Sequence, residues 1–213
     1  MDARRSAGRP TKAEAASIET QVLDAARNIF CEEGFSESSM DQIAQSIGAS
    51  KLTIYRRYPS KEALLMAVVD RDIARVAEVM QEESLGMPTA AETLNRTTRR
   101  LFEFVTTPEN LSFSRFIKGE GARRASIRDR FGEWSAAIQR PLIALIEHAQ
   151  VGGQIRADVD SMTLAGVLID LVDGIAERMR NAQATCDEDD LSLAFTARWD
   201  VFAAYSAVDR RST

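Results

Sequence analysis

Between Ser50 and Lys61 the chain crowds together side chains suited to holding a nucleic acid: Lys51, Thr53, Tyr55, Arg56, Arg57, Tyr58 and Lys61. Arg and Lys reach phosphates or guanine edges, Thr reaches phosphates or thymine methyls, and Tyr hydroxyls donate to phosphate oxygens. A solvated surface helix with ordinary cations has the same composition, so the spacing alone leaves both readings open. No comparable constellation supports catalysis. His148 is the sole histidine, Cys31 and Cys186 stand far apart, no glycine-rich phosphate loop occurs, and no His, Cys or carboxylate spacing suits a metal. We expect no catalytic residue, no metal and no cofactor.

The elements that must position these side chains are legible on either side of Gly48. Met40, Ile43, Ala44 and Ile47 recur at helical spacing, with Ser39 as N-cap and Gln42 completing a capping-box pattern. Gly48 falls where the helix must stop, since glycine takes a left-handed backbone without a Cβ penalty. Ser50 can cap a second helix, Lys51 to Arg57, which Pro59 ends by holding Tyr58 extended. Leu52 is the expected apolar anchor of that helix on the first. Helix, glycine turn, helix is the architecture that lays its second helix in the DNA major groove.

Upstream, Thr11 to Glu33 reads as a helix, with Thr11 and Glu14 offering a capping box and Ile18, Val22, Ala25, Ala26, Ile29 and Phe30 the buried stripe. Gly34 should end it and Phe35 tuck under the bundle. Met1 to Pro10 is a polar, basic arm, in which Arg9 is the candidate for a minor-groove or phosphate contact. Downstream, Ser60 should cap a long helix running to about Glu83 and lined by Leu64, Leu65, Val68, Val69, Ile73, Val76 and Met80. Lys61 in its first turn suits a phosphate by charge and by helix dipole.

The run from Thr20 to Leu65 resembles the N-terminal domain of the TetR family of one-component bacterial transcriptional regulators. The match rests on Val22-Leu23-Asp24-Ala25-Ala26, Ile29-Phe30, Gly34-Phe35, Ser39-Met40-Asp41-Gln42-Ile43-Ala44 and Gly48-Ala49-Ser50. Its most specific part is Thr53-Ile54-Tyr55-Arg56-Arg57-Tyr58-Pro59-Ser60-Lys61-Glu62-Ala63-Leu64-Leu65. The resemblance implies a sequence-specific DNA-binding regulator. It also implies that the long helix after Pro59 links the DNA-reading domain to the rest of the protein.

Composition bounds the alternatives. With 213 residues, 45% hydrophobic and 28% charged, the chain is expected to be globular and all-α, because alternating strand patterns bounded by hairpin turns are absent. A net charge of −5 does not suit a non-specific nucleic-acid binder, which would be basic throughout. Segregation reconciles the two: Arg4, Arg5, Arg9 and Lys12 at the start and Lys51, Arg56, Arg57 and Lys61 around the second helix are set against Asp187-Glu188-Asp189-Asp190. No uncharged apolar stretch approaches the ~18 residues of a membrane span, and the N-terminus lacks an apolar signal core, so we expect a cytoplasmic protein without membrane contact.

Ser84-Leu85-Gly86-Met87-Pro88 breaks the helical pattern and is the expected domain boundary. This gives an arm over 1–10, a helix-turn-helix domain with its linking helix over 11–83, and a ligand-binding and dimerisation domain over 84–213. Gly119 and Gly121 should loosen the chain, and Pro141 should kink or divide the segment from Ala125 to Gln150. Near the end, one helix carries Leu164, Leu168, Leu171, Val172 and Ile175, with Val167 and Ile169 widening its apolar surface, and another carries Phe195, Trp199 and Phe202. So broad an apolar surface needs burial on more than one side, by a monomeric core or by pairing across a two-fold axis. In the family it resembles, the last two long helices form a four-helix bundle with a partner, which makes these residues the candidate dimer interface. The resemblance likewise implies a small, apolar or amphipathic effector between helices of the second domain. Phe102, Phe113, Phe116, Ile117, Phe131 and Trp134 are its candidate walls, although each suits an ordinary core position equally well.

The sequence therefore reads as an all-α, homodimeric, ligand-responsive repressor on a palindromic double-stranded DNA operator. Ser39 and Ser50 at the two caps join the cations and tyrosines as DNA-contact candidates. The competing reading is an all-α ligand-binding or protein-interaction module that no longer reads DNA.

Overall fold

The computed structural model describes residues 12–82, 88–182 and 187–208. Among them the backbone forms nine helices and no strand: α1 (Lys12–Glu33), α2 (Met40–Ser46), α3 (Lys51–Arg57), α4 (Lys61–Glu82), α5 (Ala90–Val105), α6 (Pro108–Arg123), α7 (Ala125–Val151), α8 (Ser161–Ala182) and α9 (Glu188–Ser206). The all-α fold is as the sequence indicates. The arm with Arg9, the Thr11 cap, the break at 84–87 and Cys186 lie outside the described residues. The helices pack as two compact units, Met1–Asp70 and Arg71–Thr213, dividing inside α4.

Local chemistry sets most boundaries. Ser39, Ser50, Thr89, Thr107, Asp160 and Asp187 each accept the backbone N–H three residues on with a side-chain oxygen, satisfying a donor that the helix cannot. Ser60 does the same for Ala63 at 3.1 Å. The capping box at Ser39 is one-sided, because the Gln42 amide donates instead to Glu33 at the end of α1. Gly48, at φ 65°, closes α2 in a Schellman turn: Ala49 N–H reaches Ala44 O at 2.9 Å and Gly48 N–H reaches Gln45 O at 3.2 Å. The same turn closes α7 at Gly153, φ 64°.

Neither the segment with Gly119 and Gly121 nor that with Pro141 is divided. α6 continues through Gly119 and Gly121 to Arg123, and α7 continues through Pro141 to Val151. Proline removes one helical hydrogen bond. The turn that follows is held by Leu142 and Ile146, both wholly buried, so packing outweighs local propensity.

The first unit has a core of Val22, Leu23, Ala26 and Phe30 from α1, Met40, Ile43 and Ala44 from α2, Ile54 from α3, and Leu64, Leu65 and Val68 from α4. The second unit holds two apolar clusters. One gathers Leu94 and Leu101, Leu142 and Ile146, Leu164 and Leu168, and Phe202, with Leu171, Trp134 and Trp199 packed against it. The other gathers Phe102, Leu111, Val172, Ile175, Ala176, Met179 and Phe195. The candidate dimer residues have partners within the chain. Leu164, Leu168, Leu171, Val172, Ile175, Phe195, Trp199 and Phe202 all serve these intrachain clusters. α7 packs on α8 and α5 on α9, so the chain itself covers part of the apolar surface that reads as surplus in sequence.

Candidate nucleic-acid interface

α3 is seven residues long and is fixed by one face. Ile54 is 1% exposed and Tyr58, at its C-cap, 6%, and these two positions one turn apart pack inward. The anchor is thus Ile54, not the expected Leu52, which is 76% exposed. The helical repeat explains the inversion. Leu52 stands about 200° around the helix from Ile54, so only one of them can face α2. Leu52, Tyr55 and Arg56, at i, i+3 and i+4, share the opposite, exposed face.

Around that face the candidate DNA residues divide into outward and internally bound groups. Tyr55 and Arg56 are exposed, and no ion pair holds Arg56 among the described residues. Lys51 is exposed but paired with Asp41 of α2, a solvent-screened contact that phosphate can replace. Thr53 is half-buried, its hydroxyl 2.8 Å from that of Ser50. Ser39 and Ser50 are exposed and hold the N-termini of α2 and α3. Arg57 forms an ion pair with Glu19 of α1. Partial burial opposes its charge, but hydrogen bonding and attraction to Glu19 prevail and hold the guanidinium more firmly protonated than usual.

Two candidates are turned into the protein. Tyr58 is buried and its hydroxyl donates to Glu19 at 3.5 Å, so it braces α3 against α1 and does not present to phosphate. Burial, and then the Glu19 carboxylate, push its hydroxyl above the usual tyrosine range. Lys61 donates to the main-chain oxygens of Phe35, of Ser36 at 3.2 Å and of Ser38 at 2.7 Å, and lies over the Phe35 ring at 4.6 Å. Three carbonyls left over between α1 and α2 thus share one ammonium, which makes Lys61 a fastener of the loop that ends at the α2 cap.

Glu19 and Asp41 were missed in the sequence as organisers of this surface. No local pattern marks Glu19, because its partners lie 38 and 39 residues away. Ile54 had a signal: it precedes Tyr58 by four, a spacing that places both on one face.

A family model described as bacterial regulatory proteins of the tetR family matches residues 22–68, from the buried stripe of α1 into α4. Over those residues the chain carries the tetR-family regulatory domain. Among similar proteins, the HTH-type transcriptional regulator UidR of Escherichia coli K12 is 28% identical over 167 residues, covering 76% of this chain and 81% of its own length. A structure described as a tetR-family transcriptional regulator from Mesorhizobium loti superposes with TM-score 0.80 at 22% identity, over 93% of this chain and 100% of that one. The regulator FadR of Bacillus subtilis, solved with stearoyl-CoA, superposes with TM-score 0.73 at 19% identity, over 87% and 97%. Like tetR-family proteins the chain is a DNA-binding transcriptional regulator.

Among the candidate effector walls, Phe102 and Trp134 fall in two clusters that share Val105 and Trp199 as packed neighbours. Phe102 stacks obliquely on Phe195, centroids 5.5 Å apart, inside one cluster, whereas Trp134 packs on the other and meets Phe131 edge-on at 5.0 Å. Phe113 and Phe116 pair at 6.2 Å on α6, where Ile117 is buried. Among the described residues no helix is long and apolar enough to cross a membrane, and no group of His, Cys, Asp and Glu is arranged to hold a metal.

Proposed function

We propose that this regulator is a homodimeric, effector-controlled repressor whose α3 enters the major groove of each half of a palindromic operator, with half-sites about 34–36 Å apart or a multiple of that. The observation that carries the reading is the division of α3 into an inward face, Ile54 and Tyr58, and an outward face, Leu52, Tyr55 and Arg56. A helix anchored so shallowly, with a guanidinium, a phenol and a leucine outward, has the donors and the apolar group that base edges and phosphates require. Arg56 reaches a base edge or phosphate, Tyr55 a phosphate, Leu52 a thymine methyl, and Lys51 exchanges Asp41 for phosphate. Arg9 adds a contact from the arm.

The dimer surface is the exposed side of α9. Leu193, Ala197, Val201, Ala204 and Tyr205 recur along it at helical spacing and are all exposed, opposite buried Phe195 and Phe202. Met162 on α8 adds to the exposed apolar area. A helix apolar on both sides calls for a second cover, and a two-fold axis supplies it while matching operator symmetry.

A small molecule in the second unit shifts the population of DNA-competent dimers through differential affinity. Support comes from the shared fold, which holds stearoyl-CoA in the Bacillus subtilis structure. Repression is the economical sign, since an occupied operator obstructs transcription without a further contact surface. This work belongs in the cytoplasm, where the DNA is. The test is binding of the purified full chain to DNA upstream of its own coding sequence, at two salt concentrations against scrambled competitor. Saturable, competitor-resistant binding is expected. Binding erased by competitor at moderate salt would reduce the interaction to counterion release and leave the non-reading module as the account.

A further inference from the structure

Among the described residues, two buried side-chain polar atoms have no hydrogen-bond partner: Thr97 Oγ1 on α5 and Trp134 Nε1 on α7. Both belong to the second unit, on helices that pack against each other. Thr97 is 0% exposed and stands between Leu94 and Leu101, one turn away on either side, both members of the larger apolar cluster. Trp134 packs against that same cluster. The two orphaned groups therefore border the same apolar cluster.

Neither is an ordinary feature of a helix. A helical threonine can satisfy its hydroxyl on the carbonyl four residues back. Thr93, Thr98, Thr106 and Thr196 all do so, at 3.0, 2.7, 2.8 and 2.9 Å. Thr97, which has the Thr93 carbonyl four residues back, makes no such bond and has no other partner. An indole N–H is a donor only, and the Phe131 ring beside it is at best a weak acceptor. Buried polar groups are almost always paired because leaving one unpaired forfeits its full hydration. Two such groups over one apolar cluster are what a site retains when its ligand provides the missing acceptor.

The surroundings select the ligand's charge. No fully buried Lys, Arg or His stands among the described residues of this unit, and Arg71, largely buried, is already paired with Asp72, so a carboxylate or phosphate beside Thr97 would find no enclosed cation to neutralise it. The one buried acid, Glu120, is occupied by Arg123 and by Arg124 at 2.9 Å, leaving no matching charge for a cation. We propose that Thr97 and Trp134 form the polar end of the effector site, and that the part of the effector bound there is uncharged, largely apolar and tipped by a carbonyl or similar acceptor oxygen. A carbonyl with two lone pairs, or two oxygens on one molecule, accepts from both groups. This rests on the effector reading above and adds where the molecule is held and what chemistry it has.

The test uses the full chain labelled with 15N, whose two tryptophans, Trp134 and Trp199, give separable indole N–H signals assigned with Trp134→Phe. Methyl decanoate, decanoate and decyltrimethylammonium, equal in chain length and different in head-group charge, are titrated below their aggregation thresholds. Methyl decanoate should shift the Trp134 signal saturably and more than that of Trp199, and bind at least tenfold more tightly than either charged probe. Thr97→Val should weaken it about three- to tenfold, the factor for one neutral hydrogen bond, while raising Tm because an unpaired hydroxyl is removed. A merely structural Thr97 would lower Tm instead. Preference for a charged probe, an unmoved Trp134 signal, no binding by any probe, or a Thr97→Val protein with lower Tm or unchanged binding each overturns the inference. Operator affinity measured in parallel separates the two readings. A probe that binds at Trp134 without altering DNA affinity defeats the effector reading alone, and an effector that releases DNA without disturbing Trp134 defeats only the site.

Discussion

The ammonium of Lys61 donates to the main-chain oxygen of Ser38 at 2.7 Å, immediately before the cap of the helix that α3 packs on. With the oxygens of Phe35 and Ser36 it gathers a loop whose carbonyls have no helical partner. Replacing Lys61 by methionine should cost about 1–3 kcal/mol of stability, the range for buried groups stripped of a charged partner. A lysine acting only on phosphate would leave stability unchanged and lower the salt slope of DNA binding by about one. Urea unfolding beside a salt titration of operator binding separates the two.

Leu52 and Ile54 should give opposite signatures. Ile54→Ala creates a cavity at a fully covered position and should cost roughly 2–5 kcal/mol in denaturant unfolding. Leu52→Ala, on the exposed face, should leave the unfolding midpoint within error but weaken specific binding several-fold. Replacing single thymines of the bound DNA with uracil should reproduce that loss at one position per half-site, and only in the wild-type protein. Uracil insensitivity at every position would remove Leu52 from base reading.

The two arginines of α3 should separate in salt dependence. Arg56→Ala should reduce the slope of log affinity against log salt by about one per head engaged, with unchanged stability. Arg57 is bound to Glu19, so Arg57→Ala should change the slope less and loosen α1 against α3. Equal slopes for the two variants would show that Glu19 releases Arg57 to the phosphate backbone.

The exposed apolar side of α9 is open to a direct test. Val201→Glu or Leu193→Glu, at positions 57% and 70% exposed in the single chain, should turn a dimer into a monomer on light scattering and abolish cooperative operator binding while helicity persists. A dimer that survives both changes would place the two-fold axis elsewhere.

Two groups set expectations for pH. Hydrogen bonds from the Thr163 hydroxyl and then the Thr163 backbone N–H hold the Asp160 carboxyl below its ordinary value of 3.8. The charged cap therefore contributes stability above that value and loses it as pH falls through the depressed folded value. Tyr58 runs the other way, raised above 10.0 by burial and by Glu19, so its contribution is complete below 10.0 and lost as pH rises through the folded value. Thermal unfolding followed from acid to alkaline pH should show Asp160→Asn flattening the acid limb and Tyr58→Phe the alkaline limb, each without effect on the other.

What the sequence determined by itself was whatever depends on neighbours along the chain. Ser39, Ser50 and Ser60 as caps and Gly48 as the left-handed stop are local hydrogen-bonding and backbone effects. The cations and tyrosines of α3 were equally plain as candidates. What only the tertiary structure decided was direction. Leu52 and Ile54 are similar in hydrophobicity, and which one faces inward depends on how seven residues are rotated against α2. Tyr58 and Lys61 were recognised as donors, but their acceptors, Glu19 and the carbonyls of the α1–α2 loop, lie 23 to 39 residues away. The broad apolar surface of α8 and α9 was legible, but its cover was not, since α5 and α7 reach it only after the chain has folded back. The orphaned Thr97 hydroxyl is the limiting case: a missing partner is a property of the whole packed interior and of no stretch of sequence.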